Sequence, residues 1–512
     1  MASSYISSKP QTNYIIPLFL FIFSVLLRLS LISKGPYHID CLNLALQAQE
    51  TLKTHQLHYL FGLGYPLTVF LGSIFIAIAR IFSIDDPVFA VNLMSVFFSS
   101  LCVVANFFFA QKLFNTLTAL TSSLLLNVLP SFLGISVYGT SHTPCLFFLL
   151  IGLYFLICYL QDRQSRNLFL ASLALGFMGA NRPQDLILMG IPISSLFFLR
   201  TDADEKNSAE KNSIDLPIRR WLVFWMITFF IVVLFHLPFL TGPTHTSYTA
   251  QFAEFCHQAF GPNFRGILSP SLLCSLVFLN FNLFPLGLIL AVGGFYQLWK
   301  ESTRNFIFLA LWFAMPLLFY GNLHSTAPRF LIISTIPLIW ALGYLLSSFW
   351  KSPTTIFKKV PVILFLLLEF FMFSNIYPVL AFRHEYDSIP EFARWIAKIS
   401  EAKALIIAGD EGFFIEYYAH RTLLYRPANA FDIKDSELIN FKQKLDRILS
   451  SGIPVYIDAN GLYSYDAGQK FSSLIKKNYN LTFLGKHLIE EWYLGEIFAD
   501  IQWQGLFKIT LK

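Results

Sequence analysis

Long apolar runs separated by short polar breaks fill the first 381 positions of this chain. A helix crosses the hydrocarbon core of a bilayer with about 17 to 25 residues. Runs of that length stand at 14–33, 88–111, 116–137, 143–160, 221–241, 271–298, 305–321, 329–350 and 361–381. The stretch 167–199 is about twice as long as one span needs. It is broken by Asn181-Arg182-Pro183-Gln184-Asp185, and proline among polar neighbours predicts two short helices meeting at the outer face. The pattern gives eleven crossings. A further run, 64–82, is apolar enough to cross but is placed in the membrane plane or as a re-entrant helix, for a reason of charge given below.

From about His384 the pattern changes. A helical period fits Ile389 to Ser400 and Asp435 to Leu449. Short apolar runs at Ala404 to Gly409, Leu423 to Arg426 and Pro454 to Asp458 read as buried strands. The expected architecture is a polytopic α-helical membrane domain over 1–383, followed by a small soluble α/β domain over 384–512. The α/β part has no GxGxxG fingerprint, and Gly409-Asp-Glu-Gly412 is too short for a phosphate loop. A packing or acceptor-contact role is expected of it.

Composition agrees with this class. The chain is 55% hydrophobic, 17% aromatic and 13% charged, with 56 phenylalanines, against about 25% charged residues in an ordinary soluble domain. The net charge of +6 carries no implication of nucleic acid, because the basic residues sit in short loops. If 64–82 does not cross, Lys112, Arg163, Arg166, Arg200, Lys206, Lys211, Arg219, Arg220, Lys300, Arg304, Lys351, Lys358 and Lys359 share the cytoplasmic side with Lys9. The outer loops keep fewer: Lys34, Lys53, Arg80, Arg182, Arg265 and Arg329. That is the bias of the positive-inside rule. The N-terminus is then cytoplasmic, and residues beyond 382 lie outside. All eleven histidines fall on or near the outer side.

Asp40 is the first acidic residue of the chain and follows the first apolar run by a few positions, in Gly35-Pro-Tyr-His-Ile-Asp40. A carboxylate held so close to lipid is costly, which points to function. The structural alternative is an N-cap for a helix over Cys41 to Thr54.

This layout resembles the integral-membrane glycosyltransferases of the GT-C class, in particular the group of protein O-mannosyltransferases and aminoarabinose lipid A transferases. The residues that carry the resemblance are Asp40 after the first span, Tyr65-Pro66 opening the 64–82 run, and Arg182-Pro183 between two short helices. The loop 241–270 with His245, His257 and Arg265 follows, then Arg329-Phe330 with Pro337. It covers residues 14 to about 381. Two features depart from the group: Cys41 stands where many relatives have a second acid, and Tyr138 to His142 contains none.

The resemblance implies a sugar donor carried on polyprenyl phosphate, a glycan, lipid or protein acceptor, and a lipid bilayer around the enzyme. Arg329, Arg265 and Arg182 are the candidates for the donor phosphate, since guanidinium groups fork onto phosphate oxygens. Asp40 is the candidate base for the acceptor. His38, His58, His142 and Tyr65 are candidates to orient substrate. No cofactor is expected; a divalent ion on the histidines is the lesser alternative, because metals that grip phosphate prefer carboxylate oxygens. Two rival readings are a lipid-linked-saccharide flippase or other transporter, and an inactive GT-C-like scaffold. No internal repeat supports transport. A bacterial inner membrane is the expected location, since nothing resembles a retrieval signal.

Overall fold

Each apolar run is helical in the computed structural model, which describes residues 14–60, 64–199, 215–241, 250, 270–322, 327–351, 354–429, 432–490 and 501–512. The contacts divide the chain into two units. Of the described residues, the first takes 14–32 and 43–380. The second takes 33–42, most of the chain beyond 381, and the C-terminal strand.

In the first unit the helices are α1 (Ile15–Leu29), α2 (Ile39–Thr54, which begins in the second unit's segment), α3 (Pro66–Ile81), α4 (Pro87–Leu113), α5 (Thr116–Val128), α6 (Pro130–Ser136), α7 (His142–Asp162), α8 (Ser165–Asn181), α9 (Pro183–Phe198), α10 (Asp215–Thr241), α11 (Pro270–Glu301), α12 (Thr303–Tyr320), α13 (Ile332–Trp350) and α14 (Thr355–Glu385). Among the described residues seven helices are long and apolar enough to cross a membrane, or eight with the bent pair α5–α6; α1, α3 and α9 are apolar but shorter. The chain is thus a polytopic α-helical membrane protein with a small C-terminal sheet domain. The stretch 328–350 is buried over 83% of its apolar window and α10 over only 28%. The former is therefore central, while the latter turns Met226, Phe230 and Val233 outward, as a lipid-facing helix does. The centre is aromatic: Trp340 packs on Phe109 at 4.8 Å and on Trp312 at 4.9 Å. Both indole N–H groups are satisfied, Trp340 by Asn106 Oδ1 and Trp312 by the Ile333 carbonyl, each at 2.7 Å.

Two runs expected to be straight are not. Pro130 bends α5–α6 by 63°. The bend frees the N–H of Ser131, which donates to Asn282 Oδ1 at 2.8 Å. The Asn127 carbonyl, left without that donor, accepts instead from the Arg28 guanidinium at 3.5 Å. Arg28 is fully buried and also donates to Asn127 Oδ1 at 2.5 Å and Ser24 Oγ at 2.7 Å. Helix α11 breaks at Phe284, which stands at φ 56° directly before Pro285, a position where the proline ring disfavours the helical conformation. The break expected near Arg182-Pro183 is present, between α8 and α9.

The second unit contains α15 (Ser388–Ile399), β1 (Leu405–Ile407), β2 (Thr422–Leu423), α16 (Asp435–Ser450), β3 (Val455–Asp458), α17 (Ala459–Tyr463), α18 (Lys470–Asn478), β4 (Tyr479–Glu490) and β5 (Ile501–Leu511). The sheet order is β2-β1-β3-β5-β4, with β2, β1 and β3 parallel and β5 and β4 antiparallel. Leu438, Phe441 and Leu445 of α16 and Phe471 and Ile475 of α18 cover Ile407, Val455 and Ile457 of the sheet. The strands expected near 404, 423 and 454 are β1, β2 and β3; the long β4–β5 pair was not expected.

The segment 33–42 is fastened within this second unit. Arg383 lies over the Tyr37 ring at 3.4 Å and pairs with Glu490 at 2.8 Å, all three buried. Lys34 Nζ donates to the Glu385 carbonyl at 3.1 Å.

Candidate active site

The break between α8 and α9 builds a charged centre in the first unit. Pro183 opens α9, which needs no N–H at that position. Asp185 follows in the first turn, where the helix dipole favours a carboxylate. Arg182 Nε donates to Asp185 Oδ2 at 2.6 Å and its NH1 donates to Ser141 Oγ at 3.0 Å. Tyr320 donates its hydroxyl to Asp185 Oδ1, and Cys145 Sγ lies 3.6 Å from Oδ2. Arg182, Asp185, Ser141 and Tyr320 are all buried. The Arg182 guanidinium also faces the rings of Tyr65 at 5.4 Å and Phe330 at 5.9 Å.

Tyr65 is set by an unusual backbone: φ 45° and ψ 50°, left-handed for a non-glycine residue directly before Pro66. Its hydroxyl accepts from Gln184 Nε2 at 2.8 Å. Phe330 stacks parallel on Tyr320 at 5.3 Å and meets the His142 ring at 5.7 Å. Arg329, in the 3-10 turn Pro328–Leu331, lies 4.9 Å from the Phe330 ring centre. His142, Cys145, Asp185, Arg329 and Phe330 line a cleft of about 290 Å³ with an open mouth. Four of the residues singled out in sequence, Arg182, Arg329, His142 and Tyr65, thus share one cluster.

The other expected site residues are not among those that line this cleft. Asp40 and His38 fall in the second unit's segment. Helix α2 starts at Ile39, so Asp40 occupies its first turn and is not its cap; the Cys41 N–H bonds to the His38 carbonyl at 3.0 Å. The Asp40 side chain is about a third exposed, and Oδ2 lies 3.3 Å from His38 Nδ1. That nitrogen also accepts the Asp40 backbone N–H at 3.0 Å. His58 faces Thr54 Oγ1 at 3.2 Å just past the end of α2. Arg265, with His245 and His257, lies outside the described residues. Among the described residues no group of three or more His, Cys, Asp or Glu side chains is arranged to hold a metal ion.

Sequence reasoning missed Asp185, Tyr320 and Arg28 as functional candidates. For Asp185 the signal was present: an acid three residues after an arginine, across a helix-opening proline. For Arg28 the signal was a charge inside the apolar run 14–33; Tyr320 gave none.

The family model described as dolichyl-phosphate-mannose-protein mannosyltransferase matches residues 66–236. No curated protein matches the chain in sequence. Several solved structures share its fold. ArnT from Cupriavidus metallidurans bound to undecaprenyl phosphate superposes with a TM-score of 0.59 at 10% identity, over 97% of each chain. The archaeal oligosaccharyltransferase AglB from Archaeoglobus fulgidus, in complex with an inhibitory peptide and a dolichol-phosphate, gives 0.57 at 12% identity, over 91% of this chain and 72% of that one. The arabinofuranosyltransferase AftD from Mycobacteria gives 0.55 at 14% identity, over 97% of this chain and 40% of that one. The chain has the GT-C fold, and its resemblance to the integral-membrane glycosyltransferases of that class extends to the sequence of residues 66–236.

Proposed function

We propose that this protein transfers a sugar from a polyprenyl-phosphate-linked donor to an acceptor at the outer face of a membrane, a bacterial inner membrane in the simplest reading. The cleft beside Arg182 and Arg329 carries the proposal. It gathers two guanidinium groups against one carboxylate, Asp185. A net positive, largely buried cleft suits a phosphate leaving group, whose charge must be held as the glycosidic bond breaks. Because Asp185 neutralises Arg182, Arg329 is the principal phosphate ligand, with Arg182 as a positioned support and Arg265 as the further candidate from the sequence. His142 and Tyr65 orient the donor from the same cluster.

The reaction balances without a covalent enzyme intermediate. The acceptor hydroxyl or amine attacks the anomeric carbon and its proton passes to an Asp40 carboxylate oxygen. The bond from that carbon to the phosphate oxygen breaks, and polyprenyl phosphate leaves with the electron pair. One displacement inverts the anomeric centre. His38 fixes the Asp40 loop, and Arg383 with Tyr37 and Glu490 holds that loop in its place within the second unit.

The test is the stereochemistry of the product. The protein in proteoliposomes is supplied with a synthetic polyprenyl-phosphate sugar of known anomeric configuration, and the glycosidic linkage formed is read by NMR. An inverted linkage is expected. Retention contradicts the single displacement, and movement of the lipid-linked sugar across the bilayer without transfer contradicts the enzyme reading.

A further inference from the structure

The second unit contains a larger cleft that the proposed transfer does not use. It measures about 640 Å³, open mouth included, and is lined by Asp410, Phe413, Tyr425, Arg426 and Tyr465 with smaller apolar neighbours. It lies at the carboxyl ends of the parallel strands β1 and β2, where the chain leaves each strand through a loop. Parallel sheets place their ligands outside those ends. Tyr465 reaches it from the segment after β3.

Its floor is rigid. A side chain on Gly461 would meet the Ile407 carbonyl oxygen at 2.5 Å, and one on Gly409 would meet Asn460 Cβ at 2.6 Å, so the loops after β1 and β3 pack with no room to spare. Beneath them Glu411 and Asp458 are buried, and each has one carboxyl oxygen without a hydrogen-bond partner among the described residues. Arg426 is braced by the carbonyl oxygens of Ser464 and Pro427.

We propose that this cleft binds an oligosaccharide, giving the second unit a glycan-binding site separate from the candidate active site. Phe413, Tyr425 and Tyr465 are each about half exposed or more, and all three line this one cleft. Aromatic faces pack against the C–H faces of sugar rings. The planar carboxylate and guanidinium of Asp410 and Arg426 match vicinal hydroxyls. Tyr465 donates to Asp410 Oδ2 at 3.3 Å, which holds that carboxylate at the rim. Charge selects the class of ligand. Asp410 and Asp466 act on the single arginine, Arg426, so the cleft carries no net positive charge to hold a nucleotide or free phosphate, and a neutral polyol suits it better.

The experiment uses the full chain in lipid nanodiscs, without donor, so that binding is read apart from transfer. Immobilised oligosaccharides built from hexoses, pentoses and deoxyhexoses are screened, and the best binder is titrated against Tyr425→Ala and Asp410→Asn. Tyr425 is largely exposed, so its replacement leaves the core intact. Each change is expected to weaken binding about tenfold, the effect of losing roughly 1.4 kcal/mol, while Asp40→Asn binds as the native chain does. No binding to any saccharide overturns the proposal. So does binding that neither cleft variant weakens, or binding lost in Asp40→Asn, which would place the sugar in the candidate active site.

Discussion

Arg182 and Asp185 form a buried ion pair across the first turn of α9, with Nε 2.6 Å from Oδ2. The pair is held from both sides, by Ser141 on the arginine and Tyr320 on the aspartate. It fixes a cation beside the cleft without surrendering it to solvent.

Removing one partner of such a pair leaves an uncompensated buried charge. Asp185→Leu is expected to destabilise the membrane unit by about 3–5 kcal/mol. Asp185→Asn, which keeps the shape and some of the hydrogen bonds, should cost less. Thermal unfolding in detergent measures both, and an unshifted midpoint for Asp185→Leu contradicts the structural role given to the pair.

Arg329 is assigned to the donor phosphate. Arg329→Ala should raise the donor KM by roughly ten- to a hundredfold, the loss of about 1.5–3 kcal/mol for a hydrogen bond to a charged group. Arg329→Lys should restore part of it, since lysine keeps the charge and loses the fork. An unchanged donor KM in Arg329→Ala removes it from phosphate binding.

Arg28 depends on Asn127 for both side-chain and main-chain acceptors. Asn127→Leu removes the Oδ1 acceptor of a buried guanidinium, leaving it Ser24 and the main-chain carbonyl, and is expected to lower stability by about 1–3 kcal/mol. Arg28→Met in the same background should recover much of the loss, because the charge and its lost partner then go together. No recovery in the double variant contradicts this account of the α1–α5 contact.

The sheet of the second unit carries a pH dependence of its own. Burial first, and the Asp458 carboxylate second, push Glu411 up to about 8. Burial pushes Asp458 up to about 7. Both values lie above the ordinary carboxylate range of about 4. Between about pH 4 and 8 the folded domain therefore binds more protons than the unfolded chain, and its stability falls as pH rises through that window. Glu401 runs the other way. Hydrogen bonds from Tyr456 and Lys508 hold it down near 2, so its contribution is present above the ordinary range and is lost on acidification towards 2. Hydrogen exchange at 405–407 and 455–458 should quicken from pH 5 to 8, after correction for intrinsic rates. Glu411→Gln with Asp458→Asn should flatten the trend. A trend that persists in the double variant rules out these carboxyls as its source.

Much of the fold was legible in the sequence because spans announce themselves by length and hydropathy. The α8–α9 break was legible because Pro183 among polar neighbours cannot continue an apolar helix. The bend at Pro130 was hidden: its neighbours are apolar and the freed polar groups find partners far along the chain, Asn282 and Arg28. Tyr320 closes the end of an apolar helix, and only the third dimension sets it against Asp185. The β4–β5 pair escaped notice because Phe483 and Trp503 are more than half exposed and its pattern of burial does not alternate. The placing of 33–42 with the second unit rests on Tyr37 and Arg383, more than 300 positions apart, and no local period encodes that.

The central claim is that Asp40 takes the acceptor's proton during transfer. The direct measurement is single-turnover transfer from a polyprenyl-phosphate sugar in proteoliposomes, comparing the native chain with Asp40→Asn across pH. Asn is nearly isosteric and leaves the His38 contact geometry in place, so donor binding should hold. The account expects the rate to fall by about 10²–10⁴-fold, the usual contribution of a general base, with the acidic limb of the pH profile abolished. Near-native turnover by a folded Asp40→Asn protein would contradict it.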